Sequence, residues 1–393
     1  MKKIVTLSML GVFAQVSAQD NLINAVSGNR GIMTDKIYQF TDVINLDATD
    51  VKNQGKSGTC WSYAMSSFLE SEMARNKKQP VDLAEIFIAR HSYYDKAINY
   101  VRMHGNVEWG DGGQLHDVTN AYKKYGIVPQ YAYTGLLNGA TTNNFKEMQE
   151  ELKPYLDSLI QLKKLPDNWK DVFNAKLDKY LGKVPETFIY NGVQYTPKSF
   201  AEQVVGLDKE KYVEMVSYED QPKYKNTFIA VPDNWSFDYA FNVNMDDFIS
   251  VIDNSLKKGY TVGWATDVSE KYFSWYNGLA FVPEKSFEEM TPEEQRTRFD
   301  VYWEEKVITP EDRQKAFDNY ETTDDHGMHI IGIVKDQKGR EYYIVKNSWG
   351  INNTRKGYLY VTKNFLKYKT TAILVNQKAL PKNIAKAYKK ANQ

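Results

Sequence analysis

The chain has 393 residues, 42% of them hydrophobic and 25% charged. This is the composition of a globular protein with a sizeable core, and its 50 basic and 50 acidic residues leave no field of one sign, which argues against a nucleic-acid or membrane-surface partner. The only cysteine, Cys60, rules out an intramolecular disulfide framework.

From the start of the chain, Lys2 and Lys3 precede an uncharged, mostly apolar run from Ile4 to Ala14, and Val16-Ser17-Ala18 supplies the small residues of a cleavage site. The pattern predicts a signal peptide over 1–18, cleavage after Ala18, and a secreted or periplasmic mature chain. The run is too short to span a bilayer and no other long uncharged apolar run follows, so no membrane insertion is expected. Residues 19–40 read as a polar lead-in, and 41–60 mix turn and extended signals up to Asn53-Gln54-Gly55-Lys56-Ser57-Gly58-Thr59-Cys60. A helix then starts, with Trp61, Ala64, Met65, Phe68 and Leu69 at helical spacing and Ser57 or Thr59 as its cap. Further helices are predicted over about 82–100 and 114–125, on either side of the loop Gly110-Asp111-Gly112-Gly113. Together, 19–140 form a lead-in and helical lobe.

The texture changes from 141. Lys, Glu, Asp and Tyr become frequent, with helical patterns such as Met148 to Leu162, and 141–257 is predicted to be a mainly helical insertion. Residues 258–381 read as a β-rich lobe. Tyr260 to Trp264 and Gly278 to Val282 are short β-rich runs, 286–320 is a charged helical stretch, and strands follow at His329 to Val334, Glu341 to Lys346 and Gly357 to Val361. Residues 382–393 form a tail. Helices first and an antiparallel sheet afterwards give an α+β class.

Cys60 falls in the first turn of a predicted helix, where partial positive charge and unpaired N–H groups favour the thiolate, the nucleophilic form of cysteine. Gln54, six residues upstream in a glycine-containing loop, can fold back and donate its amide to a developing oxyanion together with the Cys60 N–H. A thiolate nucleophile needs a base, and the five histidines are His91, His104, His116, His326 and His329. The first three read as surface or satisfied residues. His326 and His329, three apart at the start of a strand, point to opposite faces, so only one can serve Cys60. Asn347 lies on the next strand, where its side-chain oxygen can orient an imidazole, and Trp349 can shield that hydrogen bond. No phosphate loop, paired metal-ligand spacing or helical His-Glu motif is present, so neither a cofactor nor a metal is expected.

Val51-Lys52-Asn53-Gln54-Gly55 with Gly58-Thr59-Cys60-Trp61-Ser62, Asp325-His326-Gly327-Met328 with Gly332, and Tyr343 to Gly350 with Gly357-Tyr358 resemble, in that order, the cysteine, histidine and asparagine segments of the papain-like cysteine peptidases. Ser57 in place of that family's disulfide cysteine, and Asp111-Gly112-Gly113-Gln114, resemble the bleomycin hydrolase and aminopeptidase C branch. The resemblance implies a two-lobed papain-like fold with the helical insertion added. It implies Cys60 as nucleophile, His326 rather than His329 as base and then acid, Asn347 as its orienter and Gln54 in the oxyanion hole. It implies Gly112 and Gly113 pairing with the substrate backbone, with Asp111 and Trp349 beside them, and a peptide or protein as substrate. That branch also suggests a homo-oligomer, and in it a C-terminal arm enters the cleft so that its carboxylate selects free N-termini. Here the arm is the basic stretch Ala385 to Gln393. An aminopeptidase is the expectation, with an endopeptidase having an open cleft, or a catalytically dead peptide-binding protein, as the alternatives.

Overall fold

The computed structural model describes residues 18–393, so the leader predicted over 1–18 lies, except for Ala18, outside the described residues. A twisted sheet runs through the molecule. Its strands lie in the order Lys225–Phe228, Tyr239–Asn242, Tyr212–Val216, Thr370–Asn376, Val262–Thr266, His326–Asp336, Glu341–Lys346, Tyr358–Thr362, Leu279–Ala280 and Phe273–Ser274. An eleventh strand, Phe40–Asn45, joins the later half of His326–Asp336. Most pairings are antiparallel, which together with the helices is the expected α+β class.

The helix Cys60–Arg75 lies against this sheet. Every residue from Cys60 to Met73 is buried, so it has no solvent face, and the small side chains of Ala64, Ser67 and Ser71 let it approach the sheet closely. Its polar residues are satisfied locally: Ser71 donates to the Asp47 carbonyl at 3.0 Å, and Glu70 accepts from the Leu83 N–H at 2.8 Å. On its other side the helices Glu85–Arg102 and Leu115–Tyr125 complete a cluster containing Phe87, Leu115 and Val118. The far side of the sheet buries Trp264, Met328, Tyr343 and Phe365 against the helix Met245–Lys257. Cys60 belongs to the first cluster and Trp349 to the second, so the cleft falls where the two meet.

Several elements depart from the sequence expectations. The lead-in contains the helices Ala18–Ser27 and Thr34–Ile37 and runs into the strand Phe40–Asn45. That strand is mostly exposed and carries a register shift between Asp42 and Ile44, so it shows no apolar alternation. The charged stretch 286–320 is broken into Pro292–Thr297 and Pro310–Asp318 with short turns of tighter helix before and after the first. Pro292 and Pro310 each restart a helix behind a threonine cap, Thr291 accepting from Glu294 N–H at 3.3 Å and Thr309 from Asp312 N–H at 3.1 Å. Residues 141–257 are built into both lobes. The helices Lys146–Ile160 and Trp169–Leu181 bury Leu152, Leu156, Phe173 and Leu177 in the helical cluster, while three strands between 212 and 242 extend the sheet.

At Gly327 the strand lies directly on the helix backbone. A methyl group there would stand 3.0 Å from Trp61 Cα and 3.1 Å from Trp61 N, both backbone atoms that cannot swing aside. Gly327→Ala is expected to destabilise the protein by about 1–3 kcal/mol through overpacking. A thermal melt against wild type checks this, and an unchanged midpoint would contradict the close approach.

Candidate active site

The loop before Cys60 is fixed from three sides. Gln54 N–H donates to the Ser348 carbonyl at 2.8 Å, Gly350 N–H to Lys52 at 3.0 Å, and Lys56 N–H to Asn143 at 2.7 Å. Asp111 braces the turn itself: Oδ2 accepts from Gly58 N–H at 2.9 Å, Oδ1 from the Tyr93 hydroxyl at 2.6 Å, and its carbonyl from Trp61 Nε1 at 2.9 Å. Its side chain is therefore engaged in holding the nucleophile loop, not open to a substrate as the resemblance implied. Neither Ser57 nor Thr59 caps the helix, contrary to expectation. Their hydroxyls bond each other at 2.6 Å, and Ser57 donates to the Gln54 carbonyl at 2.9 Å. The first-turn N–H groups are thus not taken by a side-chain cap and face the sulfur's surroundings.

His326 opens its strand and pairs with Thr266 on one neighbour. Its Nε2 lies 2.7 Å from Asn347 Oδ1. The same oxygen accepts from Ser348 N–H at 2.7 Å, which fixes the Asn347 amide with its oxygen toward the ring. The ring therefore carries its proton on Nε2, and Nδ1 has no hydrogen-bond partner among the described residues. Trp349 lies against the imidazole at 4.4 Å between centroids, its ring tilted by 34°, and Trp275 meets Trp349 edge-on at 5.3 Å, so the Asn347–His326 bond is shielded from water. His329 takes the other course. It is fully buried and its Nδ1 lies 2.9 Å from Ser67 Oγ, deep against the helix.

Gln54 is completely buried, its Oε1 accepting from Ser348 Oγ at 2.7 Å and its Nε2 donating to the Ser57 carbonyl at 2.6 Å. A primary amide has two N–H groups, so one remains for an oxyanion. Gly113 lies against the Trp61 ring, and the Gly112 carbonyl accepts from Lys96. The structure thus brings Cys60, His326, Asn347, Gln54, Gly112, Gly113 and Trp349 to one cleft.

Burial dominates the electrostatics. It pushes the Cys60 thiol up to about 12, against the backbone N–H groups of Gly327 and Trp61 that favour the thiolate, and the carboxylates of Asp233 and Asp324 add to the rise. The helix N-terminus alone therefore does not make the thiolate. Burial likewise lowers His326 to about 4, opposed by its bond to Asn347. Neither charge is favourable alone in this cleft, so a thiolate there needs an acceptor for its proton, and the partnerless Nδ1 of His326 is the candidate.

Two other groups matter here that sequence reasoning passed over. Asp233 lies within the expected insertion and Asp324 two residues before His326, and both carboxylates act on the Cys60 sulfur. No spacing or periodicity marked the first. The second stood in Thr323-Asp324-Asp325-His326, where only the neighbouring Asp325 matched a known segment. Among the described residues no group of three or more His, Cys, Asp or Glu side chains is arranged to hold a metal, and no helix is long and apolar enough to cross a membrane.

The fold and the cleft together define a papain-like cysteine peptidase. The chain belongs to the Peptidase C1-like family, whose model matches residues 5–393. It is 24% identical to Aminopeptidase G of Lactobacillus delbrueckii subsp. lactis over 95% of this chain and 90% of that one. It is 23% identical to Aminopeptidase C of Lactococcus lactis subsp. lactis over 97% and 94%. The crystal structure of PepW from Lactobacillus rhamnosis superposes with a TM-score of 0.70 at 19% identity, covering 96% of this chain and 91% of that one, a likeness of fold.

If His326 alone relieves Cys60 of its proton, His326→Ala should slow alkylation of Cys60 by iodoacetamide at neutral pH by about 10²–10⁴-fold, and His329→Ala should leave it within a few-fold. The reverse order would show that the wrong strand face has been assigned to the base.

Proposed function

We propose that this protein is a cysteine aminopeptidase that releases N-terminal residues through a thioester on Cys60. The observation that carries the reading is the Asn347–His326 pair, which leaves Nδ1 of the ring without a partner one residue from Gly327, whose N–H reaches the buried thiol. It is supported by relatives that align with over nine-tenths of the chain and bear aminopeptidase names.

In the first half-reaction the Cys60 proton passes to His326 Nδ1 and the sulfur attacks the carbonyl carbon. The oxyanion is met by the Cys60 N–H and the spare N–H of Gln54. The imidazolium then protonates the departing amine, the C–N bond breaks, and the shortened peptide leaves a thioester behind. In the second, His326 takes a proton from water, the hydroxide attacks the thioester, and the thiolate leaves with the proton returned from the imidazolium. Asn347 holds the ring through both halves, since turning the imidazole about Cβ–Cγ, which would misplace Nδ1, would break its bond to Nε2.

Cys60→Ala is expected to abolish hydrolysis while leaving the melt near that of wild type. The wild-type enzyme should cleave a peptide with a free N-terminus and spare its N-acetylated twin. Full activity in Cys60→Ala would overturn the nucleophile, and internal cuts in the blocked peptide would favour an endopeptidase.

The same proposal places the enzyme outside the cytoplasm, on the basic, apolar and small-residue pattern of residues 1–18. Expression of the full chain in a Gram-negative host should yield periplasmic protein beginning at Gln19. Recovery in the cytoplasm with residues 1–18 intact would contradict export.

A further inference from the structure

A peptidase that removes N-terminal residues must recognise an α-ammonium group, and the cleft offers two carboxylates for it. The segment 229–238, between the strands Lys225–Phe228 and Tyr239–Asn242, is a tightly braced loop. Asn234 Nδ2 donates to the carbonyls of Ile229 at 2.9 Å and Asp238 at 3.0 Å, and Asp238 N–H returns to Asn234 Oδ1 at 3.0 Å. From outside, Asn120 donates to Asp238 at 2.7 Å, His116 Nε2 lies 2.9 Å from Ser236 Oγ, and Asn99 donates to the Trp235 carbonyl at 3.2 Å. So held, the loop sets Asp233 directly upon Gly112, where even a Cβ would overlap the carboxylate.

Asp233 is half-buried, and no hydrogen bond or ion pair among the described residues engages its carboxylate. Lys96, the cation whose field reaches it, has its ammonium tied to the carbonyls of Gly110 and Gly112. Asp324 enters from the β-rich side, accepting from Gln114 Nε2 and, at 3.2 Å, from Thr371 Oγ1. The negative charge of both carboxylates is felt at the Cys60 sulfur, and that of Asp233 is felt at Asp324. Burial and the neighbouring Asp233 push Asp324 up to about 8, and burial raises Asp233 to about 6 against the pull of Lys96. Two carboxylates so placed do not both ionise at neutral pH unless a cation joins them. A third group points the same way. Gln114 is 1% exposed, and while its Nε2 serves Asp324, its Oε1 has no partner among the described residues. A buried acceptor left unpaired next to an acidic pair calls for a donor.

We propose that Asp233 and Asp324, with Gln114 Oε1 beside them, seat the free α-ammonium of the substrate and so set the end from which the peptide is cut. The position suits the chemistry. On the substrate track along Gly112 and Gly113 that the family resemblance implies, Asp233 stands close enough to act on the nucleophile. A terminal ammonium supplies up to three N–H donors to an acceptor-rich pocket. A longer chain, or an acetyl cap, would have to bury the carboxylates without a countercharge. The C-terminal segment lies elsewhere. The helix Lys382–Ala391 buries Ile384 against the sheet, Tyr388 meets Phe241 at 5.3 Å, and Asn392 accepts from Asn226 at 2.9 Å.

This inference rests on the aminopeptidase reading, and one experiment separates the two. Steady-state kcat/KM is measured for a peptide with a free N-terminus and for its N-acetylated form, using wild type, Asp233→Asn, Asp324→Asn and the double variant. Melts and far-UV circular dichroism confirm that each variant is folded. The free-to-acetylated ratio should fall about 10–100-fold in each single variant, mainly through a higher KM for the free peptide, and further in the double variant. Asp233→Glu should recover part of the ratio. A ratio near one in wild type would overturn the aminopeptidase reading itself. A wild-type preference that persists in all three Asn variants would overturn only the assignment to Asp233 and Asp324.

Discussion

The site depends on one contact, the seating of Gly327 on the backbone of Cys60 and Trp61. Because the strand His326–Asp336 lies against the first turn of the helix there, the Gly327 N–H reaches the Cys60 sulfur and His326 is delivered to the mouth of the cleft. Alternation along the strand then decides the rest. Gly327 and His329 turn to the helix, where His329 meets Ser67, while His326 turns to Asn347 and Trp349. A slip of one residue would reverse the two histidines and separate nucleophile from base. The register with Val262–Thr266, pairing His326 with Thr266 and His329 with Gly263, guards against that.

A second constraint is the dryness of the cleft. Burial disfavours a lone thiolate and a lone imidazolium alike, and two nearby carboxylates make the thiolate harder still to form. The arrangement favours neutral resting groups and lets charge appear as a pair, when the proton crosses to His326 as the sulfur attacks. An α-ammonium bound at Asp233 and Asp324 would cancel the charge that opposes the thiolate, so substrate docking and activation of the nucleophile would be linked through the same electrostatics.

The sequence was legible where chemistry is local. Cys60, Gln54, His326 and Asn347 stand in short segments whose residue types answer to a single reaction, and the strand period alone limited the choice between His326 and His329. The elements around them, Cys60–Arg75, Leu115–Tyr125 and Glu341–Lys346, are long or regular enough to be read from their patterns. What escaped was set by tertiary contacts. Phe40–Asn45 is an edge strand whose pairing, not its composition, makes it a strand. Lys225–Phe228 is polar on three of its four residues and joins the sheet through Tyr239–Asn242. Asp111 matched a family segment but is turned inward by Gly58 and Tyr93. Asp233 is 173 positions from Cys60 in the chain and reaches the cleft only because the 229–238 loop folds back on Gly112.

All of this converges on a thioester at one sulfur, formed while His326 holds its proton. The most direct measurement is acid quenching of the enzyme within its first turnovers on an amino-acid ester, followed by peptide mass mapping. The account predicts an added acyl mass on the peptide containing Cys60, building up before steady state and disappearing as substrate runs out. Turnover without any adduct on Cys60, or with the acyl group on another residue, would contradict it.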